Sequence, residues 1–143
     1  MVNEVNLKNN IVIFFVALFA IWLLLLGVSI VLKTSVVGAT AVAPLIAAIL
    51  SGKNFVKVHG RAPNDDEVKR LTGVSFFNFI GFHLLLIVLA LANPNVQSLF
   101  SQANGAVFTM IFIFLVFYFG IAFFFIRWGY GGMTRKLAAK QDK

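Results

Sequence analysis

The chain has 143 residues, of which 60% are apolar and 12% are charged, and its formal net charge is +7. An ordinary soluble domain has about 25% charged residues, and a water-soluble fold of this size could not bury so many apolar side chains. The composition therefore excludes a soluble globular enzyme and a disordered chain. Cysteine is absent, which also excludes disulfide staples, thiolate catalysis and cysteine-ligated metals. We expect an all-α integral membrane protein without a cofactor.

Four apolar segments are long enough, or nearly so, to cross a hydrocarbon core that needs about 20 apolar residues. They cover residues 11–32, 36–51, 73–92 and 105–127 of a single membrane domain spanning 1–143. The second is short, and Pro44 inside it predicts a kink because it removes a backbone hydrogen bond. The sequence thus predicts a bundle of four transmembrane helices, with a basic cytoplasmic loop at 52–72 and a basic tail at 128–143.

The basic residues predict the orientation of these spans, because Lys and Arg collect in cytoplasmic loops. With four spans, every basic residue except Lys33 lies on the side that holds both termini. This predicts that both termini are cytoplasmic, whereas three spans would split the basic clusters. The charges border the spans and no nucleic-acid-binding motif accompanies them, so membrane phospholipids are the expected partner rather than nucleic acid.

Small and aromatic residues suggest how the helices pack. A strip of small side chains recurs every four residues in the second span, at Ala39, Ala43, Ala47 and Ser51. Such a strip lets helix backbones approach closely, so we interpret it as a packing surface within the bundle, in a homo-oligomer or against a membrane partner protein. Trp128 and Tyr130 follow the last span, where they fit the aromatic belt of a membrane interface.

Two polar residues lie deep in the third predicted span, Asn78 and His83, whereas no Asp or Glu lies in any span. An ionisable residue inside a membrane is a functional candidate, and imidazole titrates near neutral pH. The alternative is a neutral His83 bonded to a hydroxyl group of another span, at Ser29, Thr40, Thr109 or Tyr118. Five residues apart on a helix, Asn78 and His83 project about 140° from each other and do not form one cluster.

The loop before the third span carries a helix-start signal. Asn64 followed by Glu67 is a capping box in form, so we expect a short cytoplasmic helix from Asn64, with a break at Thr72–Gly73 before the span. The alternative reading of this loop is a divalent-cation site with imidazole and carboxylate ligands, at His59, Asp65, Asp66 and Glu67. Because capping explains the acids and their spacing matches no standard motif, no metal is expected.

The loop reads Phe55 … Gly60-Arg61-Ala62-Pro63 … Glu67 … Leu71. In this motif and in its four short spans, the chain resembles the AciT-like family of small bacterial inner-membrane proteins. The resemblance covers most of the chain in architecture, and its distinctive motif is the loop alone. It implies a location in the bacterial inner membrane and a structural or lipid-envelope role, and it transfers no catalytic residue.

Three functional hypotheses follow from these residues. The first is a non-enzymatic membrane protein that contacts anionic lipid or a partner protein through basic residues, at Lys53, Lys57, Arg61, Lys69, Arg70, Arg127, Arg135 and Lys136. The second is a small oligomeric transporter or channel that uses His83 and Asn78. The third is an interfacial lipid-modifying enzyme that uses His59 and the acids of the loop. We favour the first, in envelope or lipid homeostasis.

Overall fold

The computed structural model describes residues 7–33 and 40–141, and 89% of these residues are helical, with no strand among them. The all-α prediction is therefore confirmed. The elements in chain order are α1 (Lys8–Leu32), α2 (Ala43–His59), α3 (Asp65–Leu91), α4 (Pro94–Ser101), α5 (Gly105–Trp128), a π-helical turn (Gly129–Met133) and α6 (Thr134–Gln141).

Three helices are long and apolar enough to cross a membrane, as judged from length and composition: α1, α3 and the continuous helix from Gly105 to Lys140. The predicted bundle of four spanning helices is not confirmed, because α2 is not among them. Helix α2 has 17 residues and carries Lys53 and Lys57 in its second half, so its uncharged part is too short. The predicted second span begins at 36, and its part before residue 40 lies outside the described residues.

The kink predicted at Pro44 is wrong. Helix α2 begins at Ala43, which places the proline in the first helical turn. The backbone N–H groups of that turn have no partner within a helix, and the fixed φ of proline suits a helix start. Pro44 therefore marks where α2 begins and does not bend it.

Helix α3 begins as predicted, but it has no break. The side chain of Asn64 accepts a hydrogen bond from the backbone of Glu67, and the Glu67 carboxylate accepts one from the backbone of Asn64, which completes the capping box. The helix then continues through Thr72 and Gly73 to Leu91. The prediction of a separate short helix before the third span is therefore wrong. A single glycine costs a helix only about 1 kcal/mol, and no proline interrupts this one.

The loop predicted at 52–72 is also shorter than expected. Helix α2 runs through Lys53 to His59 and ends at Gly60, whose φ of 64° is left-handed. Glycine adopts that conformation without steric cost. Only residues 60–64 are left to connect α2 with α3, which holds the two helices close together.

Small residues allow α2 to pack tightly against its neighbours. Ala43, Ala47 and Ser51 are buried in the core, whereas Ala39 lies outside the described residues. A Cβ atom added at Gly129 would lie 2.7 Å from the Cβ of Ala48. The π-helical turn therefore touches α2 almost backbone to backbone, as small residues permit.

Hydrogen bonds show which helix ends meet. They join Asn10 near the start of α1, Ser51 in the second half of α2, Ser75 in the first half of α3 and Tyr130 after α5. Helices α1 and α3 therefore run away from this end of the bundle, and α2 and α5 run towards it. We call it the basic end, because every Lys and Arg of the described residues except Lys33 lies on a segment at this end.

Candidate functional site

A pocket of about 260 Å³ opens at the basic end, where α3, α5, the π-helical turn and α6 meet. Apolar, aromatic and charged side chains share its wall, and the lining residues are Asp65, Val68, Phe124, Arg127, Trp128, Gly131, Gly132 and Arg135. The pocket therefore offers a cationic group beside an apolar wall. That combination suits a ligand with an anionic group and an apolar part.

Two glycines shape the wall of this basic pocket. A Cβ atom at Gly132 would lie 2.6 Å from Cδ1 of Trp128, so the indole ring lies directly over this glycine. At Gly131 a Cβ atom would meet a methyl group of Val68 at 3.7 Å, which is ordinary contact distance. The ring of Trp128 therefore packs against the turn while 42% of the residue surface stays exposed, as is typical of an interfacial tryptophan.

The two arginines of the pocket differ in their partners. Arg135 donates a hydrogen bond to the carboxylate of Asp65, and both side chains are largely exposed. Arg127 makes no hydrogen bond or ion pair with the part of the chain that the structure describes. Its charge is near enough to Asp65 to add to the lowering of the pKa of that carboxyl group, after the larger effect of Arg135, and a guanidinium group can bind phosphate in a bidentate manner.

Arg61 lies elsewhere on the basic end and is already engaged. Its guanidinium donates to both carboxylate oxygens of Glu67, at 2.8 Å each, and lies 5.5 Å from the centre of the Phe55 ring. The hydrogen bond with Glu67 raises the pKa of Arg61. Because the same carboxylate caps α3, Arg61 stabilises the helix start and has fewer donors left for a lipid.

The candidate metal ligands do not converge. Asp65 pairs with Arg135, Asp66 with Lys69 at 3.2 Å, and Glu67 with Arg61. His59 instead stacks on Phe55, with ring centres 4.3 Å apart. Among the described residues no three His or acidic side chains are grouped as a metal ion would require.

A buried hydrogen-bond network lies beneath the basic pocket, centred on Tyr130. Its hydroxyl group donates to Ser51 Oγ at 3.1 Å and lies 3.0 Å from Ser75 Oγ. Ser51 Oγ in turn donates to the backbone oxygen of Asn10 at 2.6 Å. Tyr130 is fully buried, so its predicted place in an aromatic belt is wrong, because the π-helical turn points its ring inwards.

His83 lies near the middle of α3, in a second polar cluster. Its Nδ1 lies 2.9 Å from the backbone oxygen of Phe79 and its Nε2 lies 3.0 Å from the hydroxyl of Tyr118. A carbonyl oxygen can only accept, so Nδ1 carries a proton. Tyr118 also bonds to the side chain of Thr40. Tyr118 is one of the hydroxyl partners that the sequence offered for His83.

Asn78 does not join that cluster. It is half-buried, and its side chain makes no hydrogen bond within the described residues. The remaining basic candidates are spread over the surface of the basic end: Lys53, Lys57, Lys69, Arg70 and Lys136. The structure therefore gathers only Arg127 and Arg135 of the predicted lipid-contact residues into one pocket.

Sequence reasoning missed the network around Tyr130. Its members are separated by 41, 55 and 79 positions along the chain, so no local spacing connects them. One feature of the sequence could have indicated this network. Ser51 ends the small-residue strip, and its hydroxyl group stands where the other members have an alanine methyl group.

Family models, curated proteins and solved structures give no match to this chain. The fold and the pocket define a class, an all-α protein with three apolar helices of membrane-spanning length and a basic pocket at one end. The resemblance to the AciT-like family stays a prediction.

Proposed function

We propose that this chain is a non-enzymatic integral protein of the bacterial inner membrane that binds anionic phospholipid at its basic end. In this proposal the protein acts in envelope or lipid homeostasis, as the resemblance stated above implies. The observation that carries the proposal is the basic pocket, in which Arg127 and Arg135 stand beside Phe124 and Trp128. A phosphate group would meet the arginines while the glycerol backbone and the first methylenes of its chains meet the aromatic rings.

The proposed topology has four crossings and both termini in the cytoplasm. Support comes from the hydrogen bonds that hold Asn10, Ser51, Ser75 and Tyr130 at one end of the bundle. The positive-inside rule then places the basic end in the cytoplasm, where anionic lipid headgroups attract Lys and Arg.

Lipid selectivity tests this proposal. The full chain is reconstituted in vesicles with equal amounts of phosphatidylglycerol and phosphatidylcholine, extracted in mild detergent, and its retained lipids are counted by native mass spectrometry. We expect phosphatidylglycerol to be enriched about tenfold or more, because each arginine near an anionic headgroup contributes about 1 kcal/mol. Replacing both pocket arginines, Arg127→Gln with Arg135→Gln, should remove most of this enrichment.

The matched control removes the same charge elsewhere on the basic end, through Lys57→Gln with Lys140→Gln. These lysines are not among the residues that line the pocket, so their loss should leave most of the enrichment in place. An equal loss in both double variants would mean that the total charge attracts the lipid, and the pocket would then have no specific role.

Transport is the second candidate function, and one observation favours it. Thr40, just before α2, bonds to Tyr118, which bonds to His83. The start of α2 is thus level with an intramembrane histidine, and interrupted helices at that depth are typical of transporter binding sites. The test is proton flux into liposomes that contain the protein and a pH-sensitive dye. Flux abolished by His83→Ala but kept in Thr109→Val would favour transport, and absence of flux would exclude a proton path.

A further inference from the structure

An apolar groove lies on the exposed face of α5. Its volume is about 500 Å³ and it is formed by one helix face, with the residues Val116, Phe117, Gly120, Ile121, Phe124 and Phe125. Phe117 and Phe124 stand on either side of Gly120 and are 68% and 62% exposed. Apart from its chain neighbours and the backbone of its own helix, no heavy atom of the described residues lies within 4 Å of the position that a Cβ atom of Gly120 would occupy. The missing side chain therefore forms the floor of the groove.

The groove leads directly into the basic pocket. Phe124 lines both of them. Gly120, Phe124 and Arg127 are spaced by four and then three residues, so they lie along one face of the helix. A ligand lying along this face would contact apolar surface at Gly120 and Phe124, and it would contact the arginine where the face ends at Arg127.

The length and chemistry of this face identify its occupant. From Val116 to Arg127 the helix rises about 16 Å, which is about half of the ~30 Å hydrocarbon core and thus the depth of one leaflet. We infer that the groove over Gly120 holds an acyl chain of the same phospholipid whose headgroup meets Arg127 and Arg135. This inference rests on the proposed function, and it adds recognition of the acyl chain to recognition of the headgroup.

Charge argues against a second copy of this chain in the groove. A symmetric contact between two parallel copies through this face would use the same patch on both. It would bring the Arg127 side chains of both copies together at the edge of the apolar layer, whereas Arg135 is already paired with Asp65. Like charges repel strongly where the local dielectric is low, whereas a phosphate headgroup neutralises the arginines.

Filling the groove tests the inference. Gly120→Leu places a side chain in the groove, and its Cβ atom meets no described atom within 4 Å other than its chain neighbours and the backbone of its own helix. The matched control is Gly81→Leu on α3, where a Cβ atom also meets nothing within 4 Å. Both glycines are exposed and helical, so the two variants make the same change in propensity and apolar surface. The measurement is again the lipid retained by the full chain in native mass spectrometry.

We expect Gly120→Leu to lower the number of retained phospholipids about tenfold, equivalent to about 1.4 kcal/mol, and Gly81→Leu to leave it unchanged. The ratio of phosphatidylglycerol to phosphatidylcholine among the lipids still bound should stay as in the unmodified protein, because the headgroup contacts are intact. The double arginine variant should change that ratio, and this distinguishes failure of the headgroup site from failure of the groove.

Two results would overturn the inference while the headgroup proposal stands. In one, Gly120→Leu retains as much lipid as Gly81→Leu. In the other, the unmodified protein is a dimer by mass and Gly120→Leu makes it monomeric, which would assign the groove to a second copy.

Discussion

The hydroxyl group of Tyr130 connects side chains from two other helices. Tyr130 bonds to Ser51 of α2 and lies at hydrogen-bond distance from Ser75 of α3, and its ring lies 6.3 Å from that of Phe14 of α1. All four residues are buried. Polar groups in a buried network must find partners within it, so the network favours one arrangement of the helix ends beneath the basic pocket.

The variant Tyr130→Phe should lower the free energy of unfolding by about 1–3 kcal/mol, because it leaves a buried hydroxyl without its partner. Titration with a denaturing detergent in mixed micelles, followed by circular dichroism, measures the change. Thr109→Val is the control, since its exposed hydroxyl bonds only to Gly105 of its own helix, and we expect less than about 0.5 kcal/mol there. Equal effects in both variants would mean that the Tyr130 network contributes nothing measurable.

Thr72 gives a prediction of opposite sign. Its hydroxyl group is buried and finds no hydrogen-bond partner among the described residues. Replacing it by the isosteric Val removes an unpaired polar atom and keeps the shape, so Thr72→Val should raise the free energy of unfolding by about 1 kcal/mol. The same detergent titration provides the value. A loss of stability in Thr72→Val would show that the hydroxyl has a partner in the membrane.

Among the elements, α2 and the π-helical turn depend on each other most closely. A Cβ atom at Gly129 would approach Ala48 Cβ at 2.7 Å and the backbone oxygen of Leu45 at 3.3 Å. π-Helical turns are rare and often occur at functional sites. This one rotates the chain so that Tyr130 enters the core while Gly131 and Gly132 line the basic pocket.

Gly129→Ala should therefore separate the two elements and cost about 1–3 kcal/mol of stability, as overpacking typically does. Gly81→Ala is the control, since its new methyl group meets no side chain of the described residues within 4 Å and alanine favours the helix. Unfolding by detergent gives the difference, and phosphatidylglycerol enrichment should fall only in the Gly129 variant. If both variants are equally stable, the close approach of α2 and the turn is not required.

Local chemistry explains which elements were predictable. The capping box at Asn64 and Glu67 formed as the sequence predicted, because its two hydrogen bonds lie within one turn. The kink predicted at Pro44 was wrong because proline occurs both at helix starts and at helix bends. The sequence does not distinguish the two, whereas in the structure α2 begins at Ala43. The basic pocket could not be predicted, since it joins Asp65 to Arg135 across 70 residues.

For the whole molecule, the number of membrane crossings is the main consequence of the fold. Three helices meet the length and composition of a span, and three crossings would place the two ends of the chain on opposite sides. The hydrogen bonds of Asn10, Ser51 and Tyr130 instead hold the start of α1 and the end of α5 together. These contacts bring the two ends to the basic end of the bundle, which is why the proposed topology has four crossings.

The absence of cysteine allows a direct measurement of sidedness. Single cysteines are introduced at exposed positions, Asn9→Cys at the start of α1, Lys140→Cys in α6 and Asn95→Cys in α4. A membrane-impermeant maleimide is then applied to intact cells and to inverted vesicles. We expect the Asn9 and Lys140 variants to react only in inverted vesicles and the Asn95 variant only in intact cells, because the proposed topology places the basic end in the cytoplasm. Reaction of the Asn9 and Lys140 variants from opposite sides would establish three crossings, and the network around Tyr130 could not then exist in the membrane.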